Sequence, residues 1–273
     1  MTAQPTPAER VRTIGQVVRA EVARLVDALR ADPSLWERPS ACAGWTVGDV
    51  AAHMAESNDR FLQIVSAALD GQPVPDFSPQ QRAERQAAVK ARGREAVLDQ
   101  LARCANAVFD RLEAASPDGL ARTVTVPAGT LTLAQVAGQR LSEVALHSWD
   151  IRVAADPRAT LAPAAVPLLL DGVLASVGRL AGNRVPAART LTYRLELGGE
   201  AGGPVTLTLA GGQASAARGA PARADATLHL PTEAAIRLLW GRLDLGRALA
   251  DGTVSVEGDR AAALLLGEIF RGV

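Results

Sequence analysis

One stretch near the middle of the chain decides how the first half folds: Ser142-Glu143-Val144-Ala145-Leu146-His147-Ser148-Trp149-Asp150. It lies in a segment from about Leu133 to Ala154 whose apolar residues recur with the period of an α-helix. At about 100° per residue, one wide face of this helix carries seven residues, three of them plainly apolar. They are Val136, Arg140, Glu143, Val144, His147, Ile151 and Ala154. We therefore predict an amphipathic helix that turns this face towards a core.

Glu143 and His147 stand one helical turn apart on that face, where they are partly removed from water. Burying a carboxylate and an imidazole is costly unless something pairs them. Two interpretations follow. The two side chains hydrogen-bond each other or a buried polar group, or they act as two ligands of a divalent metal, because an i, i+4 pair presents its donor atoms on one side of a helix. The spacing alone does not decide between them.

The composition predicts a soluble globular protein. The chain has 273 residues, 48% of them hydrophobic and 21% charged, which suffices for one large or two ordinary domains. The formal net charge of zero gives no electrostatic reason to bind nucleic acid or an anionic membrane. No apolar run reaches the length of about 18 residues that a membrane span needs, and Met1-Thr2-Ala3-Gln4-Pro5 begins no signal peptide. We expect a cytoplasmic protein, and the sequence leaves its oligomeric state open.

The two cysteines are too few for a disulfide framework. In a reducing compartment we expect Cys42 and Cys104 to be small buried hydrophobic residues and not reactive thiols.

The first half of the chain predicts a bundle of four long helices, at about residues 7–29, 47–69, 78–115 and 133–154. Capping-box patterns mark two of the helix starts, at Thr46 with Asp49 and at Thr132 with Gln135. His53 falls on the shoulder of the apolar stripe of the second helix, which suits a side chain that reaches sideways to a neighbouring helix.

The second half has a different texture, and we place the domain boundary so that the domains span residues 1–158 and 159–273. After a helix at about residues 164–180, apolar and polar residues alternate at 191–197 and again at 205–209, which is typical of half-buried strands. Further short strands and two helices follow, to about Phe270. His229 falls on the polar phase of its strand and is expected at the surface. This half is predicted to be α+β with a small, mainly antiparallel sheet.

Most catalytic motifs are absent from the sequence. It contains no Gly-rich phosphate loop, Gly-x-Ser-x-Gly elbow, Cys-x-x-Cys or His-Glu-x-x-His motif. By elimination, the constellation with chemistry in it is His53, Glu143 and His147.

Two motifs resemble the DinB-like, mycothiol-dependent metalloenzyme family whose named member is maleylpyruvate isomerase. The first runs from Gly44 to Ala55 and reads GWTVGDVAAHMA, and the second, EVALHSWD, begins at Glu143. In addition, the segments 225–228 (DATL) and 249–259 (LADGTVSVEGD) look like the sterol-carrier-type α+β domain that follows in the isomerase. The resemblance spans nearly the whole chain.

The resemblance implies an N-terminal four-helix DinB-like bundle, a sterol-carrier-like C-terminal domain and an enzyme that uses mycothiol as its thiol cosubstrate. It also implies a divalent metal, usually zinc, bound by His53, Glu143 and His147. A thiol held by such a metal ionises near neutral pH. The thiolate would attack an electrophilic carbon of a small substrate. Its departure after bond rotation gives cis–trans isomerisation, and its retention gives S-conjugation.

Two further residues have alternative roles. Asp150 either accepts a hydrogen bond from the His147 ring and orients it, or pairs with an arginine such as Arg152 or Arg140. Arg140 either contacts a substrate carboxylate or forms a structural ion pair with Glu143 or Asp150.

Two rival functions also stay open. The lipid-carrier likeness suggests a protein that binds a small molecule or lipid, with a structural or vestigial metal site. The metal ligands also suit a metal-dependent hydrolase that uses water in place of the thiol.

Overall fold

The structure of the protein, a computed structural model, describes residues 5–199 and 201–272. The chain divides into two units, Met1–Ala165 and Val166–Val273. The sequence-based limit after residue 158 lies in the segment between the last helix of the first unit and the first helix of the second. The elements of the first unit are α1 (Pro7–Ala31), α2 (Val47–Asp70), α3 (Pro79–Lys90), α4 (Arg94–Glu113), α5 (Pro117–Ala121), β1 (Thr123–Val126), β2 (Gly129–Thr132) and α6 (Leu133–Arg152).

Four of these helices form the predicted bundle. Helix α1 packs against α4 and α6, and α2 packs against the same two helices. Each contributes a stripe of buried apolar side chains at helical spacing, such as Val11, Ile14, Val18, Val22 and Leu25 on α1. Burial of these stripes is the main force that holds the four helices together.

Capping boxes begin both helices that carry the candidate site. The Thr46 hydroxyl accepts the Asp49 backbone N–H, and the Asp49 carboxylate accepts the Thr46 N–H. Thr132 and Gln135 make the same reciprocal pair at the start of α6. These boxes satisfy N–H groups that have no partner inside the helix, so they set where α2 and α6 start and which residues face inward.

The prediction of one long helix over residues 78–115 is wrong. Helix α3 ends at Lys90 and α4 begins at Arg94, with Gly93 at a φ of +87° between them. That left-handed conformation strains residues with a Cβ but not glycine, so the chain turns there. The helix predicted at residues 164–180 is likewise two helices, which are separated at Ser176.

The second unit is α+β, as predicted. Its elements are α7 (Val166–Ala175), α8 (Val177–Ala181), β3 (Leu191–Gly198), β4 (Gly203–Ala210), β5 (Gln213–Arg218), β6 (Ala226–Pro231), α9 (Thr232–Leu239), α10 (Leu245–Ala250), β7 (Ser255–Gly258) and α11 (Arg260–Ile269). Helix α10 was not predicted. The sheet has the strand order β5-β4-β3-β6-β7; β3 pairs parallel with β6, and the other neighbours are antiparallel.

Apolar and polar residues of the second unit divide between the two faces of the sheet. Tyr193 and Leu195 are buried on β3, and Leu228 and Leu230 are buried on β6. His229, between the last two, is exposed, as predicted. Across the part of the chain that the structure describes, no helix combines the length and the apolar character that crossing a membrane requires.

Candidate metal centre

Helices α2 and α6 bring three metal-binding side chains together. His53 Nε2 lies 2.7 Å from Glu143 Oε1, and His147 Nε2 lies 3.6 Å from the same oxygen. The two imidazoles meet edge to face, with ring centroids 5.0 Å apart and an interplanar angle of 77°. All three donor atoms lie within 4.8 Å of one another. The structure thus joins one residue of α2 to two residues of α6, ninety positions further along the chain.

The centre is mostly buried but not sealed. The side chains of His53, Glu143 and His147 are 26%, 19% and 15% exposed. Burial opposes ionisation of Glu143, but the hydrogen bond with His53 and the charges of His147 and Arg140 outweigh it, so the pKa of Glu143 lies well below its ordinary value. The carboxylate therefore carries its negative charge at neutral pH.

The donor set suits a divalent metal. Two imidazole nitrogens and one carboxylate oxygen are common zinc ligands, with bonds of about 2.0–2.2 Å, and three protein ligands leave one position open. The structure also provides the contact that a metal-free interpretation requires, because His53 is a hydrogen-bond partner of Glu143.

Asp150 lies against the other edge of the His147 ring. Its Oδ2 is 2.9 Å from His147 Nδ1, and the carboxylate is completely buried. With a proton on Nδ1, the contact between Asp150 and His147 directs the lone pair of Nε2 towards Glu143. Arg152, which was considered as a partner of Asp150, lies 3.2 Å from Glu21. Of the two roles considered for Asp150, the structure shows the contact with His147.

Arg140 is completely buried one turn before Glu143. Its Nη1 donates to Ser57 Oγ at 3.0 Å, and its guanidinium lies 4.4 Å from the centre of the Phe61 ring. Within the described residues, its Nε and Nη2 have no hydrogen-bond partner. Burial lowers the pKa of Arg140 to about 10, against the opposing attraction of Glu143. Arg140 thus places a positive charge behind the Glu143 carboxylate.

Cys42, expected to be a small buried hydrophobic residue, instead lies half-buried beside the candidate centre. It lies in the loop before α2 and is half-buried, with its Sγ 3.1 Å from Asp150 Oδ2 and 3.8 Å from His147 Nδ1. No periodic pattern links this loop to α6. The available signal was the residue type, since cysteine is a common metal ligand. Cys104, in contrast, is buried as expected, and burial raises the pKa of its thiol to about 11.

A cleft of about 620 Å³ opens beside the centre within the first unit. The centroid of the Trp45 ring, which forms part of the wall, lies 5.3 Å from that of His53. Lys90 Nζ and Asp49 Oδ1 form an ion pair in this wall, 2.6 Å apart. The lining residues are Trp45, Asp49, Ala83, Gln86, Ala87, Lys90 and Ala91. The cleft is large enough for a small molecule. Trp45 connects it to the surroundings of His53, and none of the three candidate ligands is among its lining residues.

The model of the family described as "Mycothiol maleylpyruvate isomerase N-terminal domain" matches residues 16–152, which is half of the chain and includes the whole centre. The chain belongs to this family. A second family model, "SCP-2 sterol transfer family", matches residues 177–271. The resemblance identified from the two motifs is therefore confirmed at the level of the family.

Two solved structures share the fold over most of their length. One is a histidine-to-alanine mutant of mycothiol-dependent maleylpyruvate isomerase, with a TM-score of 0.67 and 16% identity, covering 94% of this chain and 96% of that one. The other is the same enzyme without that mutation, with a TM-score of 0.65 and 17% identity, covering 89% and 93%. No curated protein matches the chain. At these identities the structures establish the fold, and the reaction needs its own argument.

Proposed function

We propose that the protein is a mycothiol-dependent metalloenzyme in which His53, Glu143 and His147 hold a divalent metal, zinc in the first instance. The observation that carries this proposal is the meeting of three donor atoms from two helices within 4.8 Å of one another. Mycothiol is proposed as the thiol because the description of the matched family names a mycothiol maleylpyruvate isomerase.

Each residue of the centre has a task in this proposal. Glu143 contributes the negative charge that its lowered pKa maintains. Asp150 accepts a hydrogen bond from the Nδ1–H of His147, which keeps the proton on Nδ1 and leaves Nε2 free to bind. When bound, the metal lowers the pKa of a thiol at its open position, so that the thiolate predominates near neutral pH.

The reaction is addition of the thiolate of mycothiol to an electrophilic carbon of a small substrate. Addition to a carbon–carbon double bond forms a C–S bond and leaves a single bond that can rotate. Expulsion of the thiolate then restores the double bond, and the net change is a cis–trans isomerisation. If a proton is added to the neighbouring carbon instead, the product is a thiol conjugate. The proposed place for the substrate is the cleft whose wall includes Trp45, the residue that contacts the His53 ring.

Metal content and thiol binding test this proposal together. We expect wild-type protein to retain a divalent metal after dialysis and His147→Ala to lose it. Because one of three ligands is gone, the metal affinity of His147→Ala should fall by about 100-fold or more. The control is His229→Ala, which removes an exposed histidine of the second unit. Mycothiol should raise the melting temperature of the metal-loaded wild type only. Equal metal content in wild type and His147→Ala would defeat the proposal, as would the absence of any thermal shift with mycothiol.

A second candidate function rests on the match of residues 177–271 to the SCP-2 sterol transfer family. In this alternative the protein binds a small apolar molecule or lipid and the metal centre is structural. Binding of an apolar ligand that needs no thiol and survives a chelator, without any turnover, would favour this alternative. Loss of the thiol requirement with retention of a metal-dependent turnover would instead indicate the hydrolase.

A further inference from the structure

A second group of metal-binding side chains lies at the Nδ1 edge of the His147 ring. Cys42 Sγ is 3.1 Å from Asp150 Oδ2 and 3.8 Å from His147 Nδ1, and the nitrogen is 2.9 Å from the same oxygen. All three donor atoms lie within 4.8 Å of one another. We propose that Cys42, His147 and Asp150 form a second metal-binding position, which takes a thiophilic divalent ion.

The spacing of these donors fits a single ion. Ligands of a tetrahedral ion with bonds of about 2.0–2.3 Å are about 3–4 Å apart, and the three observed distances fall in or next to this range. A thiolate sulfur, an imidazole nitrogen and a carboxylate oxygen together favour zinc and similar ions over the hard ions calcium and magnesium.

The loop that carries Cys42 is held in place by backbone hydrogen bonds. The Cys42 N–H donates to Ser40 Oγ at 3.1 Å, and the Trp45 N–H donates to the Cys42 carbonyl at 3.0 Å. The Ala41 N–H donates to the backbone carbonyl of Asp150 at 3.0 Å, which fastens the loop directly to α6. An ion therefore needs little rearrangement to engage all three donors.

The second position differs from the proposed catalytic one in two of its three donors. His147 is common to both, through Nδ1 here and through Nε2 at the position with His53 and Glu143. When Nδ1 binds an ion, its proton is released to solvent and Asp150 becomes a ligand instead of the hydrogen-bond acceptor, so that with both positions filled His147 bridges the two ions as an imidazolate. His53→Ala therefore disables the first position alone, and Cys42→Ser disables the second alone. The inference goes beyond the proposed function, because it needs neither mycothiol nor turnover.

Cobalt titration of the metal-free, full-length protein tests the proposal, since a thiolate ligand gives Co²⁺ a charge-transfer absorption in the near ultraviolet. We expect this absorption in wild type and in His53→Ala, which should bind about one cobalt ion per chain. Cys42→Ser should lose it. Cys104→Ser is the matched control and should keep it, because Cys104 is the other cysteine of the chain and lies buried on α4.

Three results would overturn the proposal: cobalt binding without the absorption in wild type, absorption that persists in Cys42→Ser, or loss of all cobalt in His53→Ala. In the first case, cobalt that disappears in His53→Ala would still support the metal centre of the proposed function. The three groups would then be a hydrogen-bonded cluster that holds the His147 ring.

A second measurement needs no variant. Cys42 is half-buried and accessible to a small alkylating reagent such as iodoacetamide. Ligation of its sulfur by Co²⁺ should slow alkylation about tenfold or more, because a metal-bound thiolate is a poorer nucleophile. An unchanged alkylation rate at saturating cobalt would contradict the proposal even if Cys42→Ser fails to fold.

Discussion

The two units differ in how many polar side chains they bury. Ten polar or charged residues are buried among those that the structure describes, and all but Thr232 belong to the first unit. In the second unit, strand β3 alternates buried apolar residues with partly exposed polar ones. Burial of a polar group costs free energy unless it is hydrogen-bonded or paired. The first unit therefore depends on pairing of buried polar groups, whereas the core of the second depends mainly on apolar packing.

The largest effect is expected where the first unit buries charge. The Glu56 carboxylate is 2% exposed and lies 3.4 Å from Arg60 Nε and 3.0 Å from Arg85 Nε. Glu56→Gln leaves the buried Arg60 guanidinium without its anion and should lower the free energy of unfolding by about 3–5 kcal/mol. Urea denaturation of the full-length protein, followed by circular dichroism, measures the change.

The matched control for Glu56→Gln is Glu257→Gln in the second unit. The Glu257 side chain is 77% exposed and lies 3.4 Å from His229. Because a polar contact at the surface contributes little, the urea midpoint should not move measurably. Similar losses for the two variants would remove the distinction between the two units.

In the second unit the larger effect should come from lost volume. Leu228 is completely buried on β6, between β3 and β7. Leu228→Ala leaves a cavity and should cost about 3 kcal/mol of the unfolding free energy, with no change in metal content. The neighbouring exposed residue gives the control, since His229→Ala removes no core volume. A cost for Leu228→Ala no greater than that for His229→Ala would show that this sheet does not depend on packing.

The smallest effect concerns a carboxylate at the start of α2. Burial raises the pKa of Asp49, but hydrogen bonds from Lys90 and Thr46 outweigh it, so the pKa lies below the ordinary 3.8. The folded state favours the ionised form of Asp49, so ionisation of this carboxylate stabilises the fold. The stabilisation is complete above pH 3.8 and disappears as the pH falls through the lower folded-state pKa. Asp49→Asn should cost about 1 kcal/mol at neutral pH.

Urea midpoints of wild type and Asp49→Asn, measured between about pH 7 and pH 3, check the sign of this effect. The difference between the two proteins should shrink towards acid. A difference that grows as the pH falls would contradict the lowered pKa. Asp251→Asn in the second unit is the exposed comparison. Hydrogen bonds from the Thr253 side chain and N–H lower the pKa of its carboxylate too, so its difference from wild type should also shrink towards acid.

Much of the fold could be predicted because it depends on neighbours in the sequence. The capping boxes at Thr46 and Thr132 start α2 and α6 where the pattern indicated, and the alternation at 191–197 forms strand β3. The break at Gly93 was missed because helix-forming residues lie on both sides of it. Helix α3 is mostly polar, with Val89 as its buried residue, and the apolar stripe belongs to α4, so the change of pattern did not mark the end of a helix. The feature of the sequence that could have indicated the break was the glycine itself.

The centre was predictable only in part. The helical period placed Glu143 and His147 on one face of α6. The place of His53 on the shoulder of α2 and the absence of other motifs added His53, and the family resemblance implied the three as a ligand set. The sequence left open whether Asp150 contacts His147 or an arginine, and the structure shows the contact with His147. The position of Cys42 beside Asp150 was not predicted. A thiol in a loop has no periodic relation to a helix a hundred residues away, so sequence patterns do not report the distance between them.

The sequence by itself determined which segments become helices and strands, because caps, periods and turn residues act over a few neighbouring positions. The tertiary structure alone decided which side chains meet. It set Glu143 between His53 and His147, and it set Cys42 beside Asp150. The physical reason is that such meetings depend on how whole helices pack, and packing sums the burial of many apolar side chains spread along the chain.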